Sequence, residues 1–88
     1  MPAKIDRLEH DVLRELLVTW RNSVGLSQRE LSRKLGRAPN YVGRVESGAQ
    51  GLAVVDLIDL AAAIDRAPVD LFVQYCDVLS LRRPSRKS

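Results

Sequence analysis

The sequence has few of the residues that build metal centres, disulfides and membrane spans. Its 88 residues include a single cysteine, Cys76, and a single histidine, His10. A lone cysteine excludes an internal disulfide and suits a reducing compartment, and the two residues together cannot supply a metal ligand set. No apolar run is long enough to span a bilayer, and the N-terminus lacks the order of a signal peptide. We therefore expect a cytoplasmic protein without metal, cofactor or membrane contact.

The patterns of catalytic sites are also missing. No nucleophile is accompanied by a base, and no carboxylate pair stands out from ordinary helix-surface acids. Residues 48–51 contain two glycines but lack the lysine and threonine of a phosphate-binding loop. The sequence therefore predicts a protein that is not an enzyme.

The remaining composition favours a small helical core. Aromatic residues make up only 5% of the chain, and aliphatic residues dominate its apolar content. Strand-like alternation is nowhere long enough to compete with helical patterns, which glycine and proline interrupt near 36–51 and 66–68. The length suits one domain. We predict an all-α domain over residues 1–80 and a basic, disordered tail over 81–88.

Residues 28–47 form the most informative stretch, which predicts two short helices joined by a tight turn. Ser27 and Glu30 have the spacing of a capping box at the start of the first helix. Gly36 suits a left-handed turn, and Pro39 suits the first position of the second helix. This order is typical of a helix-turn-helix, whose second helix enters the DNA major groove.

The same stretch resembles the Cro/repressor (XRE) family of bacterial and phage regulators, and the resemblance extends from about Leu13 to Phe72. It implies a DNA-binding regulator with a five-helix, lambda-repressor-like fold. The apolar residues of this sequence itself predict an extended fifth helix over 68–80. The residues that carry the resemblance have the family's spacing: Gln28, Leu31, Gly36, Val42, Val45, Glu46 and Gly48.

The exposed face of the helix predicted over 39–46 supplies the candidate base contacts, which are Pro39, Asn40, Gly43 and Arg44. Asparagine can bond bidentately to adenine, and arginine to guanine. Pro39 and Gly43 leave this face poor in polar side chains. Either Gly43 lets the helix approach the bases closely, or the domain makes few specific contacts.

Charge is distributed unevenly along the chain. Residues 21–44 carry six basic side chains against one acid, whereas residues 46–80 carry six acids against one arginine. A basic block of this kind orients a protein on a polyanion. The candidate contacts to the DNA backbone are Gln28, Arg29, Arg33, Lys34, Arg37 and Tyr41.

The resemblance also assigns two bracing roles. It implies that Arg21 pairs with Glu46 as a structural link between the first helix and the recognition helix. It also implies that Gln28 braces the recognition helix besides contacting the DNA backbone.

The fifth helix is predicted to be longer than the core requires, because similar domains often finish near Phe72. Apolar residues beyond that point exceed what the core needs to bury. An exposed apolar stripe on a small protein usually marks a contact with a partner. We predict a dimer interface at Tyr75, Cys76, Val78 and Leu79. Folding back over the domain's own core is the alternative. The basic tail could follow a DNA backbone or keep the protein soluble.

Together these features predict that the partner is double-stranded DNA, and they also predict the function of the protein. The protein would be a sequence-specific transcriptional regulator, acting as a dimeric repressor of a palindromic operator. The alternative is an antitoxin or protein-interaction module that has weakened DNA reading and docks a protein partner through its fifth helix.

Overall fold

The computed structural model describes residues 7–83, and within this range the chain forms five α-helices and no strand. The predicted all-α, five-helix fold is therefore confirmed. None of these helices is both long and apolar enough to cross a membrane. The helices are α1 (Leu8–Ser23), α2 (Gln28–Lys34), α3 (Tyr41–Ser47), α4 (Val54–Ala63) and α5 (Pro68–Arg82).

Two helix boundaries differ from the prediction. The second helix of the motif, α3, begins at Tyr41 and not at Pro39, because residues 38–41 form a turn in which the Tyr41 N–H donates to the Ala38 carbonyl at 2.9 Å. Helix α5 continues to Arg82, two residues beyond the predicted end. The outer limits of the helix-turn-helix, residues 28 and 47, agree with the prediction.

The predicted signals at the ends of α2 act as expected. Ser27 Oγ accepts from the Glu30 N–H at 3.0 Å, and Glu30 Oε1 accepts from the Ser27 N–H at 2.8 Å, which completes the capping box. Gly36 has a left-handed φ of 69°, which lets the Arg37 N–H return to the Ser32 carbonyl at 2.9 Å. Local sequence therefore sets both ends of this helix.

Ser32 joins α2 to α3 inside the protein. Its side chain is fully buried, and Oγ donates to the Gln28 carbonyl at 2.8 Å while accepting from the Val42 N–H at 3.0 Å. Asn40, at the N-cap of α3, makes no side-chain capping bond within the described chain. A side chain of α2 thus satisfies one of the N–H groups that every helix start leaves unpaired.

The core lies where α1 packs on α3 and α5, with α2 against α3 and α4 against α5. Trp20 is at its centre, and its indole N–H donates to Gln74 Oε1 of α5 at 2.9 Å. A buried indole needs such a partner. The largest fully buried apolar side chains are Trp20, Leu31, Leu60, Leu71, Val12, Val42 and Val45.

The second half of α5 folds back on this core. Leu79 is buried, Val78 packs against the core, and the Tyr75 hydroxyl donates to the Glu9 carbonyl at 3.1 Å. The premise of the predicted dimer interface, surplus apolar surface at these positions, was therefore wrong. Only Cys76 of the four residues is exposed. Burial, with Glu9 nearby, raises the pKa of Tyr75.

Ion pairs tie the end of α5 to α1. Arg82 Nη1 lies 2.5 Å from Glu15 Oε1, and Arg83 Nη2 lies 2.8 Å from Glu9 Oε2. The hydrogen bond from Arg83 lowers the pKa of Glu9 to about 2. The first two arginines of the predicted tail are thus paired within the domain, and residues 84–88 lie outside the described range.

The inward orientation of Leu79 can be tested against Leu81, a nearby leucine that is 85% exposed. We expect Leu79→Ala to lower the free energy of unfolding by about 2–5 kcal/mol, because it leaves a cavity in the core. Leu81→Ala should change it by less than about 0.5 kcal/mol. Urea unfolding at two protein concentrations provides the measurement. Equal effects of the two substitutions would contradict the packing described here.

Candidate nucleic-acid interface

Helix α3 turns one side inward and presents the other to solvent. Tyr41, Val42 and Val45 are buried in the core, while Asn40 and Arg44 are exposed. The candidate base contacts Asn40 and Arg44 therefore occupy one outer face, with Pro39 exposed just before the helix. Gly43 is half-buried at the edge of this face, on the side of Glu46. Ser47 is a further exposed member of this face that was not predicted, although its position three residues after Arg44 indicates it.

The Glu46 carboxylate holds α3 in place. It accepts hydrogen bonds from Arg21 of α1, with Nε to Oε2 at 2.7 Å and Nη2 to Oε1 at 3.1 Å. It also accepts from Gln28 Nε2 of α2 at 2.7 Å. The Arg21 guanidinium gives a further N–H to the Leu26 carbonyl at 2.9 Å. The Arg21–Glu46 pair and the bracing role of Gln28 are both present in the structure.

Gly43 makes room for the side chain of Gln28. A Cβ atom at position 43 would lie 3.1 Å from Gln28 Oε1 and 3.7 Å from Cδ. The carboxamide thus lies against α3 beside position 43, where a side chain would crowd it. The glycine is explained by a contact within the protein.

The predicted backbone contacts on α2 form an exposed basic surface. Arg29, Arg33 and Lys34 are exposed, and within residues 7–83 they form no ion pair with an acidic group. Arg29 and Arg33 also line a cleft with Arg37 and Pro39. Guanidinium groups gathered in this way suit phosphate oxygens.

Arg37 and Tyr41 are placed differently from the others. Arg37 Nη2 lies 2.5 Å from Asp56 Oδ1 of α4, and its guanidinium carbon stacks 4.7 Å from the centre of the Tyr41 ring. Tyr41 is only 6% exposed, and its hydroxyl is enclosed with no hydrogen-bond partner of normal geometry among the described residues. Burial, with Asp56 nearby, raises its pKa. The structure therefore places Tyr41 in the core rather than on the outer surface expected of a DNA contact.

Known proteins are similar to this chain in sequence and in fold. The sequence pattern of a family described as a helix-turn-helix domain matches residues 12–72. Among solved structures, the restriction-modification controller protein C.AhdI from Aeromonas hydrophila is 33% identical, with a TM-score of 0.68, over 75% of this chain and 100% of its own. A hypothetical transcription factor, NHTF, from Neisseria is 30% identical with a TM-score of 0.68, over 92% and 95% of the two chains.

The chain belongs to the XRE-type helix-turn-helix family of transcription regulators.

A third solved structure carries the family name. It is an XRE-family like protein from Pseudomonas syringae pv. tomato str. DC3000, 27% identical with a TM-score of 0.72, and the match covers 80% of this chain and 85% of that one. No curated protein matches the chain.

The family and the fold are those of DNA-binding regulators rather than of enzymes. Within residues 7–83, no three residues that could hold a metal ion come together.

Asp56 is the partner of Arg37 in this XRE domain, and the sequence did not predict this pair. Besides pairing with Arg37, its Oδ2 accepts from the Ala53 N–H at 3.0 Å at the start of α4. Arg37 and Asp56 are 19 residues apart, and no local pattern links them. Only the packing of α4 beside the motif brings them together.

The Arg21–Glu46 pair should show strong energetic coupling. The two side chains are 13% and 6% exposed. Removing one of them therefore leaves the other charge unpaired at a position with little access to solvent. We expect Arg21→Met and Glu46→Leu each to lower the free energy of unfolding by about 3 kcal/mol. The double variant should lose much less than the sum, as measured by a double-mutant cycle in urea.

The exposed pair Arg82–Glu15, with side chains 41% and 60% exposed, is the control. Its cycle should give a coupling below about 1 kcal/mol. A coupling at Arg21–Glu46 no larger than this would show that Glu46 does not hold α3 in place.

Proposed function

We propose that this regulator binds a specific double-stranded DNA site as a homodimer and represses transcription there. Helix α3 would enter the major groove of a palindromic operator in the cytoplasm, and the second copy would read the other half-site. The observation that carries the proposal is the outer face of α3, which is exposed while hydrogen bonds to Glu46 join α3 to α1 and α2.

Two groups of side chains would have different roles at the DNA interface. Arg29, Arg33 and Lys34 supply affinity without sequence preference, because phosphates are the same at every position. Asn40 and Arg44 supply base reading, since their amide and guanidinium groups match adenine and guanine edges. Arg37 contributes less to phosphate binding in this proposal, because Asp56 already neutralises it.

Repression requires only that the domain occupy its site. A protein bound across a promoter excludes other proteins from the same DNA, and no catalytic step or ligand is needed. A rigid domain with a basic face and a reading helix is sufficient for this role.

The proposed dimer forms through a surface that we call the α4–α5 face. On each helix three large apolar side chains with helical spacing point to solvent, and each is at least half exposed. Val54 of α4 and Phe72 of α5 border the same apolar groove, which joins the two sets. The face consists of Val54, Val55, Ile58, Val69, Phe72 and Val73.

A second copy of the chain is the partner that fits this face best. Around a two-fold axis the same surface must complement itself. Here projecting side chains such as Phe72 stand beside an apolar groove whose other walls include Leu13 and Leu52. A standard interface buries about 800 Å² per partner. None of the six side chains is charged, so their burial leaves no ion unpaired.

Base reading by Arg44 can be separated from phosphate binding by Arg33. Binding is titrated on duplex DNA from upstream of the protein's own coding region and on a shuffled duplex, at two salt concentrations. We expect Arg44→Ala to reduce the preference for the upstream DNA by about 1–3 kcal/mol. Arg33→Gln should weaken binding to both duplexes and lower the salt slope by about 1.

The control is Arg83→Gln, which removes the same charge where Arg83 pairs with Glu9 in the first turn of α1. It should leave discrimination between the duplexes unchanged. Equal, salt-sensitive binding to both duplexes by the unmodified protein would point to an unspecific binder. No binding to either would contradict the proposed function.

The dimer is tested by sedimentation equilibrium. Val73→Lys puts a charge into the α4–α5 face, and we expect it to weaken dimerisation about tenfold or more. Leu81→Lys is the matched control outside the face. A monomeric unmodified protein at DNA-binding concentrations would contradict the homodimer. If such a monomer bound the purified product of an adjacent reading frame through this face, the antitoxin alternative would be favoured.

A further inference from the structure

We infer that Gln28 is a specificity-determining residue, and that its side-chain oxygen Oε1 reads a base at the position where Gly43 has no side chain. The inference rests on the proposed DNA-binding function. It adds a base contact from α2 to a reading face whose predicted contacts all come from α3 and its preceding turn.

The orientation of the Gln28 carboxamide follows from its partner. Glu46 forms a bidentate pair with Arg21 and is therefore ionised, so that its oxygens can only accept hydrogen bonds. The group that approaches Glu46 Oε1 at 2.7 Å must consequently be the amide nitrogen, Nε2. The carbonyl oxygen, Oε1, is forced to the opposite side.

On that side lies Gly43 of α3. Oε1 lies 3.1 Å from the point where a Cβ of Gly43 would stand. Gly43 is half-buried, and the helical period places it at the edge of the exposed face, between Asn40 and Glu46 around the helix. The Gln28 side chain is itself exposed. Oε1 therefore lies beside position 43, at the edge of the reading face nearest α2.

An oxygen fixed in this way has a definite chemical preference. It can accept but not donate, so it does not bind a phosphate oxygen, which is also an acceptor. In the major groove the donors on base edges are the amino groups of adenine N6 and cytosine N4. We therefore expect Gln28 to favour adenine or cytosine over guanine or thymine at one position of each half-site. The second N–H of Nε2 stays available for the predicted backbone contact.

The first arm of the test examines the free protein. The side-chain amide of Gln28 is followed by NMR in the unmodified protein and in Glu46→Leu. A downfield-shifted, exchange-protected Nε2 proton that Glu46→Leu abolishes is expected. An amide with the shifts of a freely rotating glutamine would overturn the fixed orientation, whether or not the protein binds DNA.

The second arm measures base preference. A site is selected from a randomised duplex library with the unmodified protein, and every single-base variant of that site is then titrated. Gln28→Met keeps the length of the side chain and removes the acceptor. We expect it to remove a preference of about fivefold for adenine or cytosine at one position per half-site, and to leave the preferences at other positions in place.

Gly43→Ala tests the same atom with Gln28 present. The added Cβ would lie 3.1 Å from Oε1, so the carboxamide must shift by a few tenths of an ångström. We therefore expect preference to change at the same position as in Gln28→Met. When Gly43→Ala is added to Gln28→Met, base preference at that position should not change further. Arg29→Gln is the control for a phosphate contact and should weaken binding equally on every variant site.

The outcomes separate the inference from the function on which it rests. Site-selective binding with a uniform loss in Gln28→Met would overturn the base contact and leave the proposed function in place. If neither the unmodified protein nor any variant selects a site, both are overturned. Coincident changes in Gln28→Met and Gly43→Ala would support the inference.

Discussion

The Glu46 carboxylate is the point on which the arrangement of the motif depends. Arg21 reaches it from α1 and Gln28 from α2, so a single side chain of α3 connects three helices. Arg21 also holds the Leu26 carbonyl in the connection between α1 and α2. The pair is nearly buried and fully hydrogen-bonded, which is the condition under which such a charge pair is stable in a protein. It fixes the angle at which α3 presents its outer face.

The shortness of α3 explains why it needs this support. Seven residues are far fewer than an isolated helix requires in water. Asn40 gives no side-chain cap, and Ser32 of α2 instead accepts from the Val42 N–H. Gly48 ends the helix at a left-handed φ of 88°. Most of what stabilises α3 therefore comes from its neighbours, and the same contacts that make it a helix also orient it.

Helix α5 illustrates why sequence patterns leave some surfaces undecided. Apolar residues lie on two of its sides, so periodicity alone does not say which side faces the core. Packing on α1 buries Leu79 and directs the Tyr75 hydroxyl to Glu9, which leaves Phe72 and Cys76 outside. The burial of an α5 residue is decided by the position of α1 rather than by its own neighbours in sequence.

The sequence by itself determined the fold class, the capping box at Ser27, the left-handed turn at Gly36 and the limits of the helix-turn-helix. These features arise from groups a few residues apart, so local chemistry is sufficient to specify them. Only the tertiary structure decided that Arg37 pairs with Asp56 and that Gln28 turns its oxygen over Gly43. Such contacts join residues that are 15 to 19 positions apart in the sequence. They exist only once the helices have packed.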